Sequence, residues 1–168
     1  MDGIFNINKP CGVTSTHVVR TIKRLTGIKK VGHAGTLDPL ASGVLPICVG
    51  KATRVIEYLI NQDRSYRAVI NLGIQTDTFD KEGVVVSDKS GYEIPSTAEI
   101  MKVLESFIGD IEQIPPMYSA IKIDGKRLYD LARNGVTLEL EPRLVKVFEI
   151  SLLEWNNPSL DIKIKCGR

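Results

Sequence analysis

Within the fourteen residues from Lys30 to Gly43 the chain carries three glycines, one histidine, two hydroxyl residues (Thr36 and Ser42) and one Asp-Pro pair. Glycine lets a backbone turn sharply or approach a ligand closely. A loop built this way can present one carboxylate, Asp38, to a substrate. A carboxyl group with a pKa of about 4 is already ionised at neutral pH, so it can attack an electrophilic carbon without a partner base. The same composition suits a plain Asp-Pro turn or a helix cap, and taken alone it favours that simpler role.

Other chemistries fit less well. The stretch from Gly43 to Thr53 has the outline of a phosphate-binding loop. Such a loop needs four residues between its glycines and Ser or Thr directly after the lysine. Here six residues separate Gly43 from Gly50, and Ala52 follows Lys51. The only histidines, His17 and His33, form no metal-binding H-E-x-x-H pair, and Asp77-Thr78-Phe79-Asp80 lacks the alternating oxygen ligands of a calcium loop. That tetrapeptide reads as a polar turn between strands, and no metal is expected. Cys11, Cys48 and Cys166 are odd in number and far apart, which argues against a disulfide framework or a structural zinc. Cys48 and Cys166 lie in apolar or alternating runs and read as core thiols.

The elements that must position these residues follow from periodicity. Ile4 to Asn8 alternates as a strand does, and Pro10 stops it. Thr14 or Ser15 caps a helix whose apolar stripe is Val18, Val19, Ile22 and Leu25, ending at Gly27. Arg20, Lys23 and Arg24 fall off that stripe. A second helix is expected over Arg54–Ile60, and strands over Ser65–Leu72 and Gly83–Ser87. Ser96-Thr97-Ala98-Glu99 is a capping box opening a helix that stops at Gly109. After Pro115-Pro116 come a strand from Tyr118 to Ile123 turning at Asp124-Gly125, a short helix from Arg127 to Arg133, and strands over Arg143–Leu153 and Leu160–Cys166. In the last of these Leu160, Ile162, Ile164 and Cys166 point one way and Asp161, Lys163 and Lys165 the other. Strands and helices without strict β-α alternation predict an α+β fold, a mixed and largely antiparallel sheet flanked by helices.

The chain has 168 residues, the size of one domain with a single core. No apolar run approaches the ~20 residues of a membrane helix, and the N-terminus has no signal-peptide pattern. A cytoplasmic protein is expected, with no membrane partner. Charge is unevenly spread. Met1 to Thr76 holds ten basic and four acidic residues, a net of +6; Asp77 to Gln113 holds three and nine, a net of −6; the remainder nets +2. Such asymmetry suits a face for a polyanion.

Gly32-His33-Ala34-Gly35-Thr36-Leu37-Asp38-Pro39-Leu40-Ala41-Ser42-Gly43-Val44-Leu45-Pro46 resembles the signature of the tRNA pseudouridine-55 synthases, the TruB family. Four further blocks agree in order: Asn8 to Gly12, Tyr66-Arg67-Ala68, Gly73 to Asp80, and Gln113 to Lys122. The likeness covers essentially the whole chain, so 1–168 is read as pseudouridine synthase catalytic domain. The resemblance implies isomerisation of a T-loop uridine in tRNA, without cofactor, by a monomer. Asp38 would be the nucleophile. Tyr66 would stack on the target base, and His33 would help hold its flipped-out conformation. Lys9 and Pro10 would buttress the loop, and about 115–143 would be an insertion gripping the T-arm. Each has a plainer reading. Tyr66 could be ordinary core, His33 a surface turn residue, and Lys9 a solvated charge.

The family continues past Cys166 with a Gly-Thr-Tyr-Ile-Arg motif, whose arginine pairs with the aspartate, and with a C-terminal PUA-type RNA-binding domain. Neither is present in these residues, so the catalytic fold is read as incomplete and little activity is expected of the 168 residues alone. Two other readings remain: a tRNA-binding or folding module without catalysis, and a guide-RNA-dependent pseudouridine synthase.

Overall fold

A computed structural model describes residues 1–116, 122–123, 126–127, 138 and 140–167. The chain divides into two compact units, Met1–Gln62 and Asp63–Arg168. Every strand pairing within them is antiparallel, in keeping with the expected α+β class.

In the first unit, strands β1 (Gly3–Lys9), β2 (Val31–His33) and β3 (Gly43–Val49) form a sheet in the order β1-β3-β2. Helix α1 (Ser15–Thr26) is capped by the Thr14 side chain, which accepts the His17 N–H, and ends on Gly27 in the left-handed conformation. Val18 and Val19 of α1 pack with Leu45, Ile47 and Val49 of β3 to make the core, and Ile22 and Leu37 join its margin. Leu25, expected on the buried stripe, is exposed. It lies in the last turn of α1, beyond Ile22, where the core cluster no longer covers the helix. Arg20, Lys23 and Arg24 are exposed as expected.

The helix expected over Arg54–Ile60 is instead a 3₁₀ turn, Gly50–Val55, followed by one α-helical turn, α2 (Ile56–Leu59). The Thr53 hydroxyl donates to the Gly50 carbonyl at 2.8 Å, within the tight i to i+3 spacing of a 3₁₀ turn. The run from Gly43 to Thr53 that has the outline of a phosphate loop is β3 followed by the start of that 3₁₀ turn, with Leu45, Ile47, Cys48 and Val49 all buried. Burial raises the Cys48 thiol pKa, because the thiolate is poorly solvated there.

The second unit is built on a sheet in the order β4-β11-β10-β7, from β4 (Arg64–Asn71), β7 (Gly109–Gln113), β10 (Arg143–Asn156) and β11 (Ser159–Cys166). Helix α3 (Thr97–Glu105) has both hydrogen bonds of the Ser96–Glu99 capping box and ends before Gly109. Its Ile100 and Leu104 pack on Leu160 and Ile162 of β11, flanked by Ala68, Ile150, Leu152 and Trp155. On the opposite face of β11, Lys163 and Lys165 are exposed, and Asp161 is buried against Arg67.

Among the described residues the unit also holds two hairpins. β5 (Ile74–Thr76) pairs with β6 (Val85–Asp88), which starts two residues later than expected, and the Asp77–Asp80 turn lies between them. β8 (Lys122–Ile123) pairs with β9 (Lys126–Arg127). Arg127, the expected start of a short helix, is instead paired in β9; the turn expected at Asp124-Gly125, the Tyr118–Ile121 part of the expected strand and the remainder of that helix, 128–133, lie outside the described residues. No helix among the described residues is long and apolar enough to cross a membrane.

Candidate active site

The loop that carries Asp38 leaves the first sheet where the ladder fails. β2 ends at His33, opposite Ile47 of β3. The next residue of β3 is Pro46, whose carbonyl accepts the Ala34 N–H at 2.9 Å. A proline has no N–H to return, so the pairing stops and the chain swings out. Gly35 at φ 118° and Gly43 at φ 132° bracket the excursion; both angles are strained for any residue with a side chain. Between them Asp38 is exposed.

The residues on either side of Asp38 are held fast. The Ser15 hydroxyl accepts the Leu37 N–H and donates to the Leu37 carbonyl, each at 3.0 Å. The Leu37 side chain is also anchored at the core margin. On the other side, the Pro39 carbonyl accepts the Gly12 N–H at 2.7 Å and a proton from Lys9 Nζ at 3.3 Å. Lys9 is fully buried. Its ammonium also donates to the carbonyls of Pro10 at 3.0 Å and Val13 at 2.8 Å. An ammonium has three donors, and three carbonyls meet them. A buried charge without such partners would be expelled or neutralised. Lys9 is thus a fixed strut from the end of β1 to the Asp38 loop, not a solvated charge.

Asp38 itself is tied by its backbone: its carbonyl accepts the Ala41 N–H at 3.0 Å. Its carboxylate has no hydrogen-bond or ion-pair partner among the described residues. Rigid flanks and an unengaged carboxylate are what a nucleophile needs, since catalytic power depends on holding a reacting group in place.

His33, half-buried at the end of β2, has its Nδ1 buried without a hydrogen-bond partner among the described residues. Such a nitrogen gains from any ligand group that can pair with it. The first unit therefore brings Lys9, Pro10, His33 and Asp38 to one loop and its approaches. Tyr66 stands on β4 of the second unit, opposite Ile164, with its ring partly exposed. The insertion expected over about 115–143 lies mostly outside the described residues.

Two further residues hold the loop beyond those expected at the site: Gly12, and Ser15, which stands beside Thr14 as an alternative helix cap. The signal for Ser15 was present. Thr14 and Ser15 are adjacent capping residues, and one helix start uses only one cap.

A carboxylate with an ionic partner lies elsewhere, on β11. Arg67 Nε donates to both oxygens of Asp161, at 3.1 and 3.0 Å, and Nη2 to one of them at 2.5 Å. These bonds hold the Asp161 carboxyl below its ordinary pKa. Both charges are spent on each other, so the pair serves the β4–β11 seam.

Residues 23–168 match the family described as TruB family pseudouridylate synthase, N-terminal domain. The tRNA pseudouridine synthase B of Clostridium tetani is 47% identical over 168 residues, covering 100% of this chain and 58% of that protein. That of Trichormus variabilis is 49% identical over 170 residues, covering 99% and 57%. Among solved structures, a Cbf5-Nop10-Gar1 complex superposes on 98% of this chain and 39% of its own with a TM-score of 0.71 at 30% identity. An H/ACA RNP bound to a substrate RNA containing 2′-deoxyuridine gives a TM-score of 0.68 at 28% identity. The chain thus spans less than two thirds of the curated relatives it matches.

Proposed function

The chain belongs to the TruB family of pseudouridylate synthases, and we propose that it serves to convert the uridine at position 55 in the T-loop of tRNA to pseudouridine. The observation that carries the proposal is the pairing of an exposed Asp38 carboxylate with flanks pinned on both sides by Ser15, Gly12 and Lys9.

The reaction is an isomerisation. The bond between ribose C1′ and uracil N1 breaks, the uracil turns, and C5 bonds to C1′. The proton on C5 is lost to solvent and N1 gains one, so atoms and electrons balance without an oxidant. Asp38 is the nucleophile, its backbone flanks already held in place. A uridine within an RNA fold reaches it only after flipping out, at a cost of about a few kcal/mol. Stacking on the target base, the role that the family resemblance implies for Tyr66, would return about 1–3 kcal/mol of that, and the unpaired Nδ1 of His33 offers the substrate a further polar contact. The exposed Arg20, Lys23 and Arg24 of α1 supply charge for phosphates.

The product position tests this. With the full-length protein and a tRNA transcript, pseudouridine should form at position 55 alone, and replacing that uridine by cytidine should abolish product. Product elsewhere, or none, contradicts the proposal. A second reading, guide-RNA-dependent modification, is favoured by the likeness to the H/ACA RNP structure. It requires that turnover appear only when a guide RNA is added.

A further inference from the structure

We propose that Ser15 is a positioning residue for the nucleophile: its hydroxyl, by holding both backbone polar groups of Leu37, fixes where the Asp38 carboxylate points. This deepens the reading above and rests on it.

Ser15 is 3% exposed, although it opens a helix at the surface of its unit. The capping role that would explain a serine here is taken by Thr14, whose side chain accepts the His17 N–H at 3.1 Å. The Ser15 hydroxyl instead reaches across 22 positions of sequence to Leu37. A hydroxyl has one proton to give and lone pairs to accept with. Here it gives the proton to the Leu37 carbonyl and accepts from the Leu37 N–H, so one side chain satisfies both groups of one residue. Leu37 lies in neither helix nor strand, and no ladder holds it.

With the Leu37 side chain seated at the core margin, residue 37 is fixed at three points. The next residue is Asp38. The dihedrals that aim its carboxylate start from the Leu37 carbonyl on one side and end at the clamped Pro39 on the other. The Pro39 side is held twice, by Gly12 and by Lys9. On the Leu37 side, Ser15 makes the only backbone-directed hydrogen bonds among the described residues. Alanine at position 15 would leave the helix and its cap in place and free one end of the nucleophile's backbone. An error of about 1 Å in a reacting group costs about 10²-fold in rate, whereas phosphate contacts on α1 would be untouched.

The test compares full-length wild type, Ser15→Ala, Ser15→Cys and Ser15→Thr in single-turnover pseudouridine formation, tRNA binding and amide hydrogen exchange. Ser15→Ala should lower the single-turnover rate about 10- to 100-fold, with tRNA affinity within about twofold. The Leu37 amide should exchange about tenfold or more faster, with α1 amides unchanged. Ser15→Thr, which keeps the hydroxyl, should restore most of the rate. Should Ser15→Ala not fold, Ser15→Cys keeps the volume with a weaker hydrogen-bonding group and should show the same pattern at smaller size. A folded Ser15→Ala or Ser15→Cys protein with wild-type rate overturns the inference, as does a loss matched by an equal loss of tRNA affinity. If wild type itself forms no pseudouridine, the functional reading fails while the Leu37 exchange still reports on Ser15.

Discussion

Lys9 and Pro39 are 30 positions apart, and the ammonium of one donates to the carbonyl of the other at 3.3 Å while fully enclosed by protein. The strut joins the end of β1 to the residue after Asp38. Replacing Lys9 by methionine keeps the chain length but leaves the carbonyls of Pro10 and Val13 without their ammonium donor and Pro39 with the Gly12 N–H alone. Leaving a buried acceptor unsatisfied costs about 1–3 kcal/mol. Lys9→Met should therefore lower the urea midpoint by at least that equivalent and reduce activity. An unchanged midpoint would show that the strut is dispensable.

Gly43 closes the Asp38 loop at φ 132°, with open space where a side chain would stand. The obstacle to a side chain is therefore backbone conformation and not crowding. Gly43→Ala should cost about 1–3 kcal/mol in thermal or urea unfolding. Substitution of Gly3, which has equal space and no positive φ, serves as the control and should change little.

The Arg67–Asp161 pair makes stability depend on acid. Hydrogen bonds from Arg67 lower the Asp161 pKa in the folded protein. A depressed carboxyl pKa contributes stability that is fully present above its unfolded value of about 4 and is lost as pH falls through the folded value. The difference in unfolding free energy between wild type and Asp161→Asn should be largest near neutral pH and shrink below about pH 4. A difference that stays constant from pH 7 to pH 3 would mean that the ion pair adds nothing.

The three exposed cations of α1 give the proposed RNA interaction a salt signature. Each phosphate contact contributes about −0.7 to −0.9 to the slope of log affinity against log salt. Removing Arg20, Lys23 and Arg24 together should flatten that slope by about 2–3 while leaving the fold intact, because all three are exposed. An unchanged slope would place the tRNA on another surface.

Much of this was legible in the sequence, for identifiable reasons. β1, α1 with its Gly27 stop, the Ser96–Glu99 box, β10 and β11 follow local rules that tertiary packing did not override. β3 was not assigned because Leu45, Ile47, Cys48 and Val49 are all buried, and a run buried on both faces loses the alternation that marks a strand. β7 was missed because it is an edge strand carrying Asp110 and Glu112 around a single apolar Ile111; charge is how edges are protected from further pairing. β2 is too short to show a period. Around the site, the block from Gly32 to Gly43 points to Asp38 only through its family resemblance, since by composition alone it favours a plain Asp-Pro turn. The hydrogen bonds from Ser15 and Gly12 join residues more than 20 positions apart and leave no periodic trace.

The most direct test of Asp38 as nucleophile is tritium release from C5 of labelled uridine in tRNA, measured for full-length wild type and Asp38→Ala beside tRNA binding. The expected result is release by wild type, a loss of at least about 10⁴-fold in Asp38→Ala, and tRNA affinity within a few-fold, since Asp38 is exposed and holds no other described side chain in place. Release by Asp38→Ala within about tenfold of an active wild type would contradict the assignment.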